Sequence, residues 1–588
     1  MWRYFISAHH HFTESILNKK GGLGLVLFTL LVLFLTWYRL RFGVDFTDEA
    51  FYIAVPYRFA LGDRLFIDEL SLAPFAIFSI PFIKLHLWLQ GDLDGVVLTM
   101  RQLYLCFTCG VAAVVFWSLT FFVRRKIAFL IALSCIVCPL GNIPSFSYNT
   151  LCSAFIILGL FSTLAIVRTN AHPRYYLIPG LLFGFAIISY PTLILPVLVY
   201  TVVILPLDNT HRKQSIFAFL IGLALAGSLL IPALLQAGDD QLSTCLQYVS
   251  SVGAQGGGLQ KLKTIVRSLF TSWPQPYLIL ALIILVGITY YKRPFYCCLL
   301  LIVLPVSFMP WRSFSPTTNM MFINHYSLLA PLIAMLSWQK KPVRQLFLIG
   351  WLPAFFMGLT TAWSSGNGFR NASIGWIAGA VVTVVLITLT LTELDQREKT
   401  VRRFGLRYLQ SIPALMFVVF LLQSQFRSGA VYRDDNIPLL TSRVTSGPYQ
   451  GMYTTPSKNG YLQTITRDIN SVVGNKQTIL FYDLFPAGYL LSSARPATPA
   501  IWMQPLSRSP RTKRDLLVGY YQQHAMPDVV VQLLQVPEKT NTKPSITSLT
   551  YPEQDVFNNY IHAQSYQSLI VRKQYRIMGK QKRPIENK

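Results

Sequence analysis

The chain has 588 residues, 53% of them hydrophobic and only 13% charged, with a positive mean hydropathy; this excludes a soluble multidomain protein and fits a polytopic membrane protein. A net charge of +26 would suggest nucleic acid in a soluble chain. Here much of the basic charge falls in short turns between apolar runs, where it sets orientation, so no nucleic-acid partner is expected. The eight cysteines lie mostly in apolar segments, Cys245 excepted, and imply no disulfide framework; Cys106-x-x-Cys109 and Cys135-x-x-Cys138 are read as small packing residues.

A bilayer core of about 30 Å takes roughly 20 apolar residues per helix. His9, His10, His11, Lys19 and Lys20 precede a first apolar run too long for a signal-peptide core, read as a retained anchor. Runs near 22–40, 97–122, 127–141, 148–167, 176–190, 192–207, 215–236, 276–291, 294–310, 325–338, 345–362, 374–392 and 405–425 give about thirteen expected spans. With the N-terminus in the cytoplasm, Arg124 to Lys126, Arg168 with Arg174, Arg212-Lys213, Lys292-Arg293, Lys340-Lys341 with Arg344, and Arg397 to Arg403 all fall on the inner side. The outer side then receives 41–96, 141–147, 237–275, 311–324, 363–373 and everything from about 426. Within 41–96, Leu70–Gln90 is apolar but broken by Pro74 and Pro81, and is expected to be interfacial or re-entrant.

The tail is different in character. It is polar, with a turn signal at Ser446-Gly447-Pro448 and strand-like runs at Thr478–Tyr482, Val529–Leu534 and Ser568–Val571. The expected organisation is a mainly α transmembrane bundle over 1–425 followed by a small external α/β domain over 426–588. That tail carries 20 Lys and Arg against 10 Asp and Glu, a balance that favours an anionic surface or acceptor nearby, or simply solvates the domain.

The acids are unevenly distributed. Eight lie in 41–96, ten in the tail, and none between Gln241 and Thr392. Ion-coupled carriers keep ionisable carboxylates inside the bundle, so their absence there weighs against such a carrier. Asp45, Asp48, Glu49, Asp63, Asp68 and Glu69 instead crowd one outer loop, whose run Glu49–Leu61 looks helical and ends at Gly62. Acids facing cations at an outer membrane face suit glycosyl transfer from a lipid phosphate: a carboxylate takes the acceptor hydroxyl's proton while cations stabilise the departing phosphate. Asp48 is the expected base with Glu49 as its partner, although Asp48 would equally serve as a helix N-cap; Asp45 and Asp63 are read as structural. Arg58, Lys261, Arg312, His325 and Arg370 are candidate phosphate ligands, and Tyr52, Asp68, Tyr148, Asn149 and Asn367 candidate substrate contacts. Asp92-x-Asp94 offers two carboxylates and no further ligand, so a surface turn is expected and no metal site is assigned. No cofactor is expected, and a divalent metal is left open.

Asp48-Glu49-Ala-Phe-Tyr52, running on to Leu61-Gly62-Asp63 after a first membrane span, resembles the first external loop of GT-C glycosyltransferases, most of all the protein O-mannosyltransferase and aminoarabinose transferase group. The resemblance is local, roughly 40–125, and implies a polyprenyl-phosphate sugar donor, inverting transfer, and a catalytic acid in this loop at Asp48. The Pro-Pro-Leu element that often follows is reduced here to Ala73-Pro74-Phe75, and no Trp-Trp-Asp motif is present, which argues against transfer of whole glycans to asparagine. The expected activity is transfer of one sugar from that lipid-linked donor to a lipid, glycan or protein hydroxyl at the external face, in a bacterial inner membrane. Two alternatives stay open at this point: a lipid-linked glycan ligase or polymerase acting through basic outer loops such as 237–275, and a polar-lipid transporter or flippase.

Overall fold

A computed structural model of the chain describes residues 22–71, 73–138, 140–204, 211–253, 258–271, 276–307, 318–397, 410–427, 433–474, 477–482, 484–502, 518–522, 524–534, 564 and 566–580. Each expected apolar run carries helix, but six helices are long and apolar enough to cross a membrane: Gly22–Arg39, Val96–Leu119, Tyr148–Thr169, Arg212–Tyr248, Lys341–Ser364 and Gly368–Arg397. Shorter apolar stretches follow at Pro173–Ser189, Pro191–Val203, Met320–Leu336 and Ile412–Phe426. Thirteen helices of spanning length are therefore not found among the described residues. Proline and small residues divide several runs into pieces, as where Thr318–Ser327 and Ala330–Leu336 are separate helices within one run. The protein is an integral membrane protein with a mainly helical fold.

The centre of the bundle is built by Tyr148–Thr169 and Gly368–Arg397, each buried over 94% of its apolar window, whereas Gly22–Arg39 is buried over only 22% and faces outward. Close approach of the helices needs glycine. A Cβ on Gly375 would stand 2.5 Å from the Gly358 nitrogen, so the helices on either side of the 363–373 turn meet backbone to backbone.

Two expectations about outer segments have clear outcomes. Ile80–Gln90 forms an eleven-residue helix, about 16 Å long and too short to cross, preceded by a 3-10 turn at Pro74–Phe78. The segment 237–275, expected as a loop, is instead largely helical, over Ile231–Gly253 with a break at Gly238 and again over Gly258–Thr271. In the second helix Leu259, Leu262 and Val266 are exposed apolar residues beside Lys261, Lys263 and Arg267, the composition of a helix lying in a membrane interface.

After the apolar helix Ile412–Arg427, the chain forms a two-stranded ribbon, β1 Ser442–Arg443 with β2 Tyr453–Thr454, then a helix Pro456–Val472 and a five-stranded sheet. Its strands are β3 Thr478–Tyr482, β4 Arg495–Pro496, β5 Val529–Leu533, β6 Tyr566–Val571 and β7 Tyr575–Lys580, in the order β4-β3-β5-β7-β6. β3 lies parallel to β4 and β5, while β7 runs antiparallel to β5 and β6. The three strand-like runs seen in the sequence are β3, β5 and β6. β4 is two residues long, and β7 is a run of mixed character, Tyr575-Arg-Ile-Met-Gly-Lys580.

Asp468 ties the helix Pro456–Val472 to this sheet. Its carboxylate accepts from Arg572 Nε at 2.8 Å and Nη2 at 3.2 Å, and from Tyr575 Oη at 2.8 Å. The Arg572 hydrogen bonds hold the carboxyl below its usual 3.8, so the pairing stabilises the fold above that pH and is lost as pH falls through the depressed value. We expect Asp468→Asn to lower the thermal midpoint of the purified protein at pH 7 and to lose the part of the wild type's stability that disappears below about pH 4; an unchanged stability–pH curve would contradict the assignment.

Candidate functional site

The helix Asp48–Ala60 begins immediately after a loop whose geometry is set by two buried arginines. Arg101, on the membrane helix Val96–Leu119, donates to both Glu49 oxygens, at 2.7 and 2.5 Å, and to the carbonyls of Leu40, Phe42 and Gly43. Arg39, at the end of the first membrane helix, donates to the carbonyls of Phe42 and Gln425. Glu49 thus has both oxygens engaged in a fully buried ion pair.

The cap of this helix is Asp45. Its Oδ1 accepts from the Thr47 backbone at 2.7 Å and the Thr47 hydroxyl at 2.8 Å, while Oδ2 accepts from the Glu49 backbone at 2.8 Å. Thr47, the residue before the helix, makes no side-chain cap bond. Asp45 thus takes the Glu49 N–H at the helix's open end, and Asp48 occupies the first helical turn, where the dipole favours a negative charge. Its side chain is 18% exposed and pairs with Arg433 Nε at 3.5 Å.

Arg433 comes from the C-terminal region and had no sequence signal. It holds φ at +57°, a conformation uncommon for a side-chain-bearing residue. Its neighbours explain how that geometry is maintained. The Arg433 carbonyl accepts from Lys458 Nζ at 2.7 Å, and the same amine donates to the Val44 carbonyl. Asp434 accepts from the Val44 backbone and the Thr454 hydroxyl, each at 2.7 Å. Burial pushes the Lys458 amine below its usual range, opposed by the carboxylates of Asp434 and Asp45. Tyr449 adds a bond from its hydroxyl to the Asp45 carbonyl at 2.7 Å.

From Asp48 a row of aromatic and amide groups leads across the bundle. Tyr52, one turn along the helix, packs edge-on against Tyr148 with ring centroids 5.6 Å apart, and Phe75 fills the angle between them. The Tyr148 hydroxyl lies near Tyr52 and Asn149 and within electrostatic reach of Asp48. Tyr148 and Asn149 are placed by a capping box, in which Ser147 and Thr150 exchange backbone bonds at the start of Tyr148–Thr169. Tyr190 continues the row, 5.9 Å from Tyr148; its hydroxyl donates to the Thr361 carbonyl at 3.3 Å and reaches Ser364 and Asn371. The Asn149 Oδ1 atom is shielded and has no hydrogen-bond partner among the described residues, and the same holds for Asn324 Oδ1, whose amide donates to the Phe369 carbonyl at 2.7 Å. Shielded acceptors of this kind cost stability until a donor such as a ligand hydroxyl reaches them.

The other expected residues divide between this row and elsewhere. His325 is buried with its ring 5.9 Å from that of Phe369, and Asn367 and Arg370 are exposed in the same turn. Trp363 Nε1 donates to the Gly258 carbonyl at 3.2 Å, which brings the helix bearing Lys261 to that turn. Arg58, ten residues beyond Asp48 and so about 15 Å along the helix, is closed into a buried group with Asp63 and with Glu69 Oε2 at 3.0 Å. Burial pushes the Glu69 carboxyl up while Arg58 opposes it. Asp68 pairs with exposed Arg64 at 3.0 Å; burial raises its carboxyl, but the Arg64 hydrogen bonds outweigh this and hold it below the usual range. Arg58 and Asp68 therefore stand apart from the Asp48–Tyr148 row, and Arg312 lies outside the described residues. Asp92 and Asp94 shape a turn, accepting from the backbones of Asp94 at 2.8 Å and Gly447 at 2.9 Å. Among the described residues no group of three or more His, Cys, Asp or Glu is placed to hold a metal.

No protein-family model matches the chain, and no curated protein does. Solved structures do align with it. The oligosaccharyltransferase of Archaeoglobus fulgidus in the apo form shares 11% identity over 88% of this chain and 70% of that one, with a TM-score of 0.47. The oligosaccharyltransferase AglB of the same organism, in complex with an inhibitory peptide and a dolichol-phosphate, gives 11% identity over 86% and 69%, with a TM-score of 0.42. ArnT from Cupriavidus metallidurans, bound to undecaprenyl phosphate, gives 12% identity over 95% and 98%, with a TM-score of 0.48. Residue roles are not transferred at such identity.

The two first-turn acids have opposite expected behaviour. Arg101→Met leaves Glu49 buried without its counter-charge and is expected to destabilise the protein by about 3–5 kcal/mol, whereas loss of the partly exposed Asp48 pair in Asp48→Asn should cost less than about 1 kcal/mol. Thermal melts of the detergent-purified variants measure both, and equal destabilisation would refute the distinction.

Proposed function

We propose that the protein is a membrane glycosyltransferase that moves a single sugar from a polyprenyl-phosphate donor to a lipid, glycan or protein hydroxyl at the external face, with Asp48 as general base. The observation that carries this reading is that Asp45 caps the helix, so that Asp48, unlike Glu49, is neither a cap nor a buried ion-pair partner. The likeness of the first loop to GT-C enzymes supplies the donor class.

In this reading the Asp48 carboxylate takes the proton of the acceptor hydroxyl as that oxygen attacks the anomeric carbon, the bond from that carbon to the phosphate oxygen breaks, and the phosphate leaves with the bonding electrons. Attack from the face opposite the phosphate inverts the anomeric centre. Arg433, 3.5 Å from Asp48, orients the base on the acceptor side, and Lys261 and Arg370, on the far side of the tyrosine row, are the cations offered to charge developing on the phosphate. Tyr148 and Asn149 offer hydrogen bonds to sugar hydroxyls, the shielded Asn149 Oδ1 as an acceptor.

The reading is tested with purified protein and radiolabelled polyprenyl-phosphate sugars. Asp48→Asn should keep the wild-type melt and lose transfer by about 10²- to 10⁴-fold; full transfer by a folded variant sinks the base assignment. Arg433→Ala should lower kcat by about 10- to 100-fold, the effect of losing the charged hydrogen-bond partner that orients the base, with Arg433→Lys recovering part of it. An unchanged kcat would remove Arg433 from the site.

A further inference from the structure

A hollow lies away from the tyrosine row. It is a cavity of about 780 Å³ formed where the turn after Ile80–Gln90 and the helix Asp48–Ala60 meet the C-terminal region. Tyr57 is its contribution from the Asp48 helix. Nine residues separate it from Asp48, which places it about 13 Å along the axis and on the opposite side of the helix, so this hollow is separate from the Asp48 centre.

Its chemistry contrasts with the rest of the protein. Gln463, Thr466 and Asn470 line it from one side, at positions i, i+3 and i+7 that share a helix face. Ser492, Ser493, Thr445 and Ser446 add hydroxyls across from them. The charged lining consists of Asp92, Asp94 and Arg467, so a chain with a net charge of +26 presents here a wall without surplus cations. Leu462 and Leu490 are buried beneath and give an apolar floor, with the Tyr57 ring beside it. The volume lies within the range of small-molecule sites, roughly 300–1,000 Å³.

We infer that this hollow is a binding site for a neutral oligosaccharide, a non-catalytic hold on a glycan chain. Amides, hydroxyls and the carboxylates of Asp92 and Asp94 match the alternating donors and acceptors of sugar hydroxyls, and the leucine floor and tyrosine ring match the C–H faces of the sugar rings. An anionic ligand is disfavoured by Asp92 and Asp94, whose charges Arg467 balances only in part, since Arg467 also pairs with Asp468 at 3.9 Å. Strand pairing by a peptide is disfavoured at Val444, where the ribbon meets the hollow, because its backbone N–H and C=O are already bonded to Met452 and Gly451. The choice of a glycan over another neutral polyol rests on the sugar-transfer reading, in which a polymer held here would keep an acceptor near the outer face while its end is processed.

The test measures binding alone, so it stands or falls independently of transfer. Asn470→Cys and Thr466→Cys are introduced into the full-length protein, with Ser568→Cys on β6 as a remote control and the wild type to subtract labelling of native cysteines. Maleimide labelling rates are measured with maltohexaose, chitohexaose, mannohexaose and the anionic hyaluronan hexasaccharide at millimolar concentration. At least one neutral oligosaccharide should slow labelling at 470 and 466 by threefold or more, leave 568 unaffected, and lose its effect when Asp92→Asn and Gln463→Ala are added. Protection by none of the neutral sugars, or equal protection by hyaluronan, overturns the inference. If protection is seen while Asp48→Asn retains full transfer, the base assignment fails and the glycan site stands.

Discussion

The structure around the first outer loop depends on one buried ion pair, Arg101 with Glu49. A guanidinium that also collects three carbonyls from residues 40–43 fixes the chain leaving the first membrane helix against the second long one. Such a pair contributes little net stability over a well-packed apolar alternative, because both charges lose their hydration. Its effect is orientation: with every donor of Arg101 directed at a specific acceptor, the loop has one arrangement, and the helix that begins at Asp48 starts at one place. Asp45 then accepts from the Glu49 N–H at the helix's open end, while Asp48, in the first turn, pairs with Arg433 from the C-terminal region.

The C-terminal region completes that arrangement from the other side. Asp434, Lys458 and Tyr449 each bond to backbone atoms of Val44 or Asp45, and further bonds join Tyr453 to Arg41 and Gly43, Ala487 to Phe46, Pro499 to Leu70 and Ile501 to Glu69. A segment with its own sheet thereby acts as the outer wall of the membrane-proximal loop. Arg433 is delivered to Asp48 by this packing, and its left-handed backbone is held by the bonds on either side of it. The polar tail is thus part of the same structural unit as the acids it covers.

Much of the architecture was legible in the chain because the bilayer imposes a strong, local rule. Apolar runs separated by basic turns gave the positions of helices, six of them long and apolar enough to cross a membrane among the described residues, and the acid census isolated the first loop. Where local rules weaken, the reading was less complete: 237–275 looked like a polar loop because its charges lie among leucines, and only the helical spacing of those leucines turns it into an amphipathic helix. Arg58 looked like a phosphate ligand because its charge was visible and its partners were not. Asp63 and Glu69 reach it only after the chain turns at Gly62, five and eleven residues on.

What the sequence determined by itself was therefore the membrane class, the mainly helical fold, the polar tail with three of its five main-sheet strands, and the concentration of acids in 44–69. These follow from hydrophobicity and charge, which act residue by residue. Tertiary structure alone decided which acid had a structural task, that Glu49 is consumed by Arg101 and that Arg433 stands beside Asp48. It also decided that Tyr52, Tyr148 and Tyr190 line up towards Asn371. Those relations join positions up to 385 residues apart, and they arise from burial, where each charged or polar group must find a partner wherever in the chain that partner happens to be.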